Sequence, residues 1–136
     1  MKITLVQMDV AHGQPVENKK HVKEMLERTL DDNPDVIVLP EMWNTGYALD
    51  ELNGLADKEG LDSQELLSHF AREHAVAIIG GSVAIEKDGK FYNTTYVYNK
   101  SGDLINTYSK VHLFGLMAED QYMSAGSSES VFELDA

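Results

Sequence analysis

The stretch Asp35-Val-Ile-Val-Leu-Pro-Glu41 decides the fold, because it joins a buried strand to an abrupt polar end. Its four consecutive apolar residues, 36–39, predict a strand covered on both faces, as in parallel sheets. Pro40 has no N–H to donate, so the strand ends there and Glu41 stands at its carboxyl end. Open α/β sheets bind ligands outside the carboxyl ends of their strands. Glu41 is therefore a candidate site residue, although a solvated loop acid fits the same pattern.

A βαβ unit is predicted around this stretch. Residues 3–7, Ile-Thr-Leu-Val-Gln, predict a first strand that is apolar and covered on both faces. Residues 16–32 carry apolar side chains at helical spacing and predict a helix. Asn33-Pro34 ends that helix, because proline cannot continue the hydrogen-bond ladder. The two strands are expected to be parallel and joined by a right-handed crossover.

The pattern changes after this unit. Residues 44–60 are predicted to be a loop, followed by a helix to about His74, with Asp62 as its N-cap and Glu65 completing a capping box. Gly80-Gly81 follows a third predicted strand, and we expect this pair to let the backbone pass close to a site. The third predicted strand covers residues 76–79. Strands at 82–86, 91–98 and 104–109 are predicted to form an antiparallel meander, and a final strand is predicted at 131–134.

Composition limits the functional classes. The 136 residues fit one domain, and 43% hydrophobic and 25% charged residues are typical of a globular protein. With 11 basic and 23 acidic residues the net charge is −12, which argues against partners such as nucleic acid or an anionic membrane. No apolar run is long enough to cross a bilayer, and the first residues lack a secretory signal, so a cytoplasmic location is expected.

The chain has no cysteine, which removes disulfides, thiolate metal sites and thiol nucleophiles from these 136 residues. The histidines at 12, 21, 69 and 74 lack the spacing of metal ligands. We therefore predict neither a metal nor a cofactor.

Lys110 follows the last meander strand, as Glu41 follows the second strand. Each of these two charged residues alone also fits a solvated strand end. Trp43 and Tyr47 are candidates for the lining of a substrate pocket, and packing in the core or in a loop fits them equally well.

An ordered series of motifs gives these residues a family context. The chain resembles the carbon–nitrogen hydrolase (nitrilase) superfamily, and within it the ω-amidase-like branch. The motifs that carry the resemblance lie at residues 3–7, 35–41, 44–47, 79–82, 92–94, 102–104 and 108–114.

The resemblance implies an αββα sandwich, a mixed sheet flanked by helices, of which residues 1–136 are the N-terminal part. It implies that Glu41 is the general base, that Lys110 stabilises the oxyanion and that Glu119, nine positions later, helps to position the substrate. The family's cysteine nucleophile is expected in a later segment, beyond Ala136, so the chain alone is expected to be inactive. The implied substrate is a small carboxamide, and a homo-oligomer is expected.

This division of labour has a physical reason. Amides are poor electrophiles, so attack by a thiolate needs a base for the thiol proton and stabilisation of the tetrahedral oxyanion. Two carboxylates beside one ammonium are expected to keep that lysine protonated, and their crowding is expected to raise the pKa of one glutamate.

Two other interpretations remain open. The missing cysteine also fits the product of a truncated gene, which acts as an inert or interaction domain. A small acidic signalling domain of receiver type also begins with a βαβ unit. That class is disfavoured, because Gln7-Met8-Asp9 lacks the acidic pair expected after the first strand and because the meander is antiparallel. If half of a sandwich stands alone, its exposed sheet surface is expected to make the chain marginally stable or self-associating.

Overall fold

The computed structural model describes residues 1–134, which form a seven-stranded mixed sheet with helices packed against it. The strands are β1 (Ile3–Leu5), β2 (Val36–Val38), β3 (Asp57–Lys58), β4 (Ala77–Ile79), β5 (Val83–Lys87), β6 (Lys90–Tyr98) and β7 (Leu104–Ser109). The helices are α1 (Pro15–Thr29), α2 (Leu52–Leu55), α3 (Leu61–His74) and α4 (Glu119–Tyr122), with 3-10 turns at Leu30–Asp32, Leu49–Glu51 and Gly115–Met117. The predicted α/β fold with a mixed sheet is confirmed.

The pairings among β1, β2 and β4 are parallel, as the βαβ pattern predicts. β1 pairs with β2 and β2 with β4, so that Ile37 lies between Thr4 and Ile78. Ile37 and Ile78 are fully buried in one core cluster with Leu26 of α1 and Phe70 of α3. Because side chains alternate along a strand, this face of the sheet is the one that the two long helices cover.

β6 organises the antiparallel part of the sheet. It pairs with β5 through residues 90–94, with β4 through Val97 and Tyr98, and with β7 along its other edge. The predicted meander is therefore confirmed, and β6 joins it to the parallel strands. This arrangement places the end of β7 near the carboxyl end of β2.

The prediction that the first strand is covered on both faces is wrong for the described residues. Ile3 and Leu5 are 53% and 73% exposed. β1 lies at the edge of the sheet, and Ile3 and Leu5 lie on the face opposite to the one that α1 and α3 cover. The apolar sequence correctly predicted a strand, but it did not show whether a second layer covers that strand.

The interval 44–60 is more ordered than the predicted loop, since it contains α2 and the short strand β3, which pairs in parallel with β5. The predicted N-cap of α3 is also wrong. The backbone N–H groups of Asp62 and Ser63 donate to the Asp57 carboxylate at 3.3 and 2.8 Å, and Gly60, in a left-handed conformation, occupies the cap position. The chain turns at Gly60, so a carboxylate from before the turn reaches the first free N–H groups of the helix.

The tail corrects another prediction. Within residues 1–134, the segment 131–134 forms no strand, and Val131 is 92% exposed. The preceding tail residues instead attach to the meander: Ser124 N–H donates to the Phe91 carbonyl at 2.7 Å, and Gly126 N–H donates to the Lys110 carbonyl at 3.0 Å. An apolar-polar alternation predicts a strand only where a neighbouring strand is available to pair with it.

In the described part of the chain, no helix is long and apolar enough to cross a membrane.

Removing the Asp57 carboxylate is expected to destabilise α3. Replacing an N-capping acid with alanine costs about 0.5–2 kcal/mol, so Asp57→Ala should lower the free energy of unfolding by that amount. Urea denaturation followed by circular dichroism measures the change. Asp50→Ala, at an exposed position, is the matched control and should have little effect. Equal stability of the two variants would contradict the assignment of Asp57 as the cap.

We expect the 136-residue chain to self-associate through the open face of β1. Leu5→Lys places a charge on that face and should shift the chain toward monomer, as measured by size-exclusion chromatography with light scattering. Val16→Lys is the control, because Val16 is 84% exposed on α1, which packs against the other side of the sheet. A wild-type chain that stays monomeric at all concentrations would rule out this association.

Candidate active site

Three of the predicted site residues meet at the carboxyl end of β2. Glu41 follows β2, Lys110 follows β7, and Glu119 is the first residue of α4. Lys110 Nζ lies 3.0 Å from Glu41 Oε1 and 3.0 Å from Glu119 Oε1. One ammonium therefore links two carboxylates that are far apart in the sequence.

The backbone around Glu41 is held by Ser82. Ser82 N–H donates to the Pro40 carbonyl at 3.1 Å, and its hydroxyl and carbonyl oxygens accept from the N–H groups of Met42 and Trp43 at 2.9 and 3.1 Å. Met42 is buried and has a φ of 52°, an unfavourable conformation for a residue with a large side chain. The hydrogen bonds of Ser82 on both sides of Glu41 hold this turn, and with it the direction of the carboxylate.

Gly81 makes this close contact possible. Its φ is +59°, and a Cβ there would lie 2.6 Å from the Leu39 carbonyl oxygen. The prediction that the Gly80-Gly81 pair lets the backbone pass close to the site is confirmed, since the chain it approaches is the one that leads into Glu41.

Lys110 is positioned by the continuation of a strand pair. Its N–H donates to the Asn93 carbonyl at 2.8 Å, which extends the pairing of β6 with β7 by one residue. Its own carbonyl accepts from Gly126 of the tail. Both backbone groups are thus fixed, and the side chain extends toward the two glutamates.

Glu119 is a fully buried carboxylate, with 0% exposure. Its Oε1 accepts from the Phe114 N–H at 2.8 Å and from Lys110, and its Oε2 accepts from Asn93 Nδ2 at 3.2 Å. Burial of a charge is tolerated when it is paired and hydrogen-bonded, and both conditions hold here. The ammonium faces it from one side and neutral donors from the others.

Asn93 is a site residue that the sequence analysis did not assign. It is 3% exposed, and its Nδ2 donates to Glu41 Oε1 at 2.9 Å and to Glu119 Oε2 at 3.2 Å. A signal was present in the sequence, because Asn93 belongs to the Tyr92-Asn-Thr94 motif and is a polar residue within a predicted strand. The sequence did not show that its amide lies between two carboxylates.

The two aromatic candidates are placed differently. The half-buried Tyr47 lies beside Glu41; burial and the adjacent Glu41 carboxylate raise the pKa of the Tyr47 hydroxyl. Trp43 is 1% exposed, belongs to the main core cluster and donates from Nε1 to the Gly80 carbonyl at 2.9 Å. Tyr47 therefore lies beside the acidic cluster, which consists of Glu41, Lys110 and Glu119, whereas Trp43 supports the Gly80-Gly81 turn.

The electrostatics of the site favour its charged forms. Burial raises the pKa of Glu41, but hydrogen bonding from Lys110, Tyr47 and Asn93 outweighs burial, and the net pKa is lowered. Burial likewise lowers the pKa of Lys110, but the two glutamates outweigh it and the net pKa is raised. The expectation that the lysine stays protonated is confirmed. The expected upward pKa shift does not occur at Glu41, because neutral donors add to the ammonium.

A cavity of about 290 Å³ opens beside the pair. It is lined by Leu39, Glu41, Gly81, Ser82, Asn93, Thr95, Tyr108 and Lys110. This places a proton acceptor and a cationic donor side by side at an opening that fits a small polar molecule. Within residues 1–134, no group of three His, Asp or Glu side chains is arranged to hold a metal ion.

Comparison with known proteins identifies the family of this chain. The model of the carbon–nitrogen hydrolase family matches residues 2–136. The chain is 45% identical over 133 residues to a 2-oxoglutaramate amidase of Bacillus subtilis, an alignment that covers 98% of this chain and 51% of the relative. It is 33% identical over 141 residues to the omega-amidase NIT2-B of Xenopus laevis, covering 97% of this chain and 50% of that protein.

The fold agrees with these relationships. The crystal structure of Saccharomyces cerevisiae Nit3, a member of branch 10 of the nitrilase superfamily, superposes with a TM-score of 0.85 and 25% identity, covering 98% of this chain and 51% of that chain. The mixed sheet flanked by helices is thus one incomplete half of the nitrilase-like sandwich, and the chain spans about half the length of the curated relatives it matches. From the family match, the sequence relatives and the shared fold, we conclude that this chain belongs to the carbon–nitrogen hydrolase family.

Proposed function

We propose that this chain supplies the base and the oxyanion-binding lysine of an amidase that cleaves small carboxamides, with a cysteine nucleophile from outside these 136 residues. The observation that supports this proposal is the Lys110 ammonium, 3.0 Å from both Glu41 and Glu119, at the edge of the 290 Å³ cavity. The presence of amidases among the relatives supports the same reaction class.

In the proposed reaction, Glu41 accepts the proton of the thiol as sulfur bonds to the amide carbon. Lys110 donates a hydrogen bond to the carbonyl oxygen as it becomes an oxyanion, and so stabilises the transition state more than the ground state. Glu41 then returns the proton to the nitrogen, the C–N bond breaks, and ammonia leaves a thioester. Water then attacks the thioester carbon while Glu41 takes one of its protons. The C–S bond breaks, the carboxylic acid leaves, and Glu41 returns the proton to sulfur, which restores the thiol.

A lowered pKa suits Glu41 to the first of these steps, because the carboxylate is ionised and ready to accept a proton at neutral pH. The cost is a weaker base, since a carboxylate with a low pKa holds the proton less tightly. The raised pKa of Lys110 keeps the oxyanion partner positive over the same range.

Glu119 has no exposed surface, so we assign its effect on the substrate to Lys110, whose ammonium it holds in place. We assign Tyr47 to the wall around Glu41. Trp43 remains a predicted substrate-pocket residue, and its burial favours a contribution through the Gly80-Gly81 turn. Treating residues 1–136 as one part of a larger catalytic domain is also part of this proposal.

The substrate class follows from the relatives. Two of them are named for action on 2-oxoglutaramate and on omega-amides, so we propose a small substrate with a terminal carboxamide. A cytoplasmic location and homo-oligomeric assembly stay predictions.

A second candidate function is favoured by one observation, the absence of cysteine among the 136 residues. On this alternative the chain is a non-catalytic domain that is inert or binds another protein. The two candidates differ in a measurable way, since only the first predicts ammonia release when a cysteine-bearing half is supplied.

The test fuses residues 1–136 to the half of the Bacillus subtilis amidase that the alignment leaves uncovered. We expect the fusion to release ammonia from 2-oxoglutaramate and the 136-residue chain alone to release none. Glu41→Gln should lower kcat by about 10²–10⁴-fold, since it removes the base, and Lys110→Met by about 10²–10³-fold, since it removes the oxyanion partner. Coupled ammonia assays measure both.

Glu65→Gln and Lys20→Met are the matched controls, because both side chains are exposed on the helices and lie outside the acidic cluster. Near-wild-type turnover by the Glu41→Gln fusion would sink the proposal, and an inactive but folded fusion would favour the non-catalytic alternative.

The lowered pKa of Glu41 predicts a pH dependence. In the 136-residue chain, the Glu41 carboxyl should titrate by NMR below its ordinary value of 4.5, and Lys110→Met should raise that midpoint, because the ammonium is lost. A carboxyl whose pKa is lowered on folding contributes stability above the unfolded value and loses it as pH falls through the folded value. The stability difference between wild type and Lys110→Met should therefore shrink below about pH 4.5. The same midpoint in both proteins would exclude Lys110 as the cause.

A further inference from the structure

We propose that Asn93 is a positioning residue of this site, which keeps Glu41 ionised and fixed relative to Glu119 while Lys110 turns toward the oxyanion. The inference rests on the proposed amidase function for its role in turnover. Its electrostatic part concerns the 136-residue chain itself and can be measured without any activity.

The two glutamates are joined twice, once by a charged donor and once by a neutral donor. Lys110 Nζ lies 3.0 Å from both Glu41 Oε1 and Glu119 Oε1. Asn93 Nδ2 lies 2.9 Å from Glu41 Oε1 and 3.2 Å from Glu119 Oε2. The four side chains therefore form a closed ring, in which two donors alternate with two carboxylates.

Charge fixes the orientation of the Asn93 amide. An amide nitrogen carries two hydrogens, one for each carboxylate, whereas the amide oxygen has none to give. With the oxygen in that place, three acceptors would meet in a buried space without a hydrogen between them, at a large cost in free energy. The two carboxylates thus hold the amide with its nitrogen toward them.

Asn93 is also fixed on its other side. It lies within β6, where it pairs with Ala84 of β5, and its backbone carbonyl accepts from the Lys110 N–H at 2.8 Å. The same residue therefore touches all three members of the acidic cluster, two through its side chain and one through its main chain. Since it is 3% exposed, water cannot readily replace its amide.

The lysine must also serve a third acceptor during the reaction. Its ammonium has three hydrogens, and two of them point to Glu41 and Glu119 in this structure. When an oxyanion forms, the ammonium shifts toward it, and its pull on Glu41 weakens. The neutral amide does not take part in this shift, so its two hydrogen bonds hold the two carboxylates in place and keep Glu41 ionised. Both donors reach Oε1 of Glu41, so neither occupies Oε2.

The first test uses the 136-residue chain and the NMR titration of Glu41, with its signal assigned by its loss in Glu41→Gln. Asn93→Ala should raise the pKa of Glu41, because one donor to the charged form is removed. Asn18→Ala is the matched control. Like Asn93, Asn18 is buried and its side chain is hydrogen-bonded. Its partners are backbone groups of residues 11 and 44, which it joins to α1, and not the carboxylates of the site. Asn18→Ala should lower the free energy of unfolding and leave the midpoint of the Glu41 titration unchanged.

A measurement on the wild-type chain covers the case in which Asn93→Ala does not fold. The side-chain NH₂ signals of Asn93 should shift with pH at the midpoint of Glu41, because one of their hydrogens is bound to that carboxylate. NH₂ signals that do not move through the Glu41 titration would overturn the proposal, as would an unchanged Glu41 midpoint in folded Asn93→Ala.

The second test uses the active fusion. Asn93→Ala should lower kcat by about ten- to a hundredfold, with a smaller change in KM, and should move the acid limb of the kcat profile to higher pH. A purely structural role predicts lower stability with an unmoved acid limb, and that result would overturn the role in turnover. If the wild-type fusion is inactive, the amidase function fails, while the NMR titrations still decide whether Asn93 sets the ionisation of Glu41.

Discussion

The burial of the Glu119 carboxylate is the constraint on which the rest of the site depends. A charge with no exposed surface is stable only if its partners are brought to it. Here they come from three directions: the Lys110 ammonium from the end of β7, the Asn93 amide from β6 and the Phe114 N–H from the turn before α4. Each of these elements is therefore held in place partly by the need to solvate one buried group. Glu41 lies next to them because the same two donors also serve its carboxylate.

The two glutamates have the same chemistry in different environments. Glu41 is half exposed at the cavity and is surrounded by donors that favour its charged form. Glu119 is fully buried and is separated from the cavity by Lys110 and Asn93, which both line it. An acid that exchanges protons needs access to the reactant, whereas an acid that fixes a cation needs protection from water. The exposure of each side chain agrees with the role that we propose for it.

Sequence patterns predicted well what depends on neighbouring residues. The periodicity of α3, the buried run of β2 and the strand that becomes β7 all followed from local alternation or spacing. The chemical roles proposed for Glu41, Lys110 and Glu119 came from family resemblance, since a lone glutamate or lysine carries little information. What failed depends on distant partners. The exposure of β1, the cap from Asp57 and the unpaired segment 131–134 are set by what packs against them, as is the bridging amide of Asn93.

The closed ring of Glu41, Asn93, Glu119 and Lys110 also has a consequence for how the protein folds. Three of its four contacts join residues that are 52, 69 and 26 positions apart in the chain. Contacts of such long range close large loops, so they form only after β2, β6 and β7 have assembled into the sheet. A fragment must span at least residues 41–119 to contain all four residues of the ring. The ring is thus a marker of completed tertiary structure, and the ionisation of Glu41 reports on the fold of the sheet as a whole.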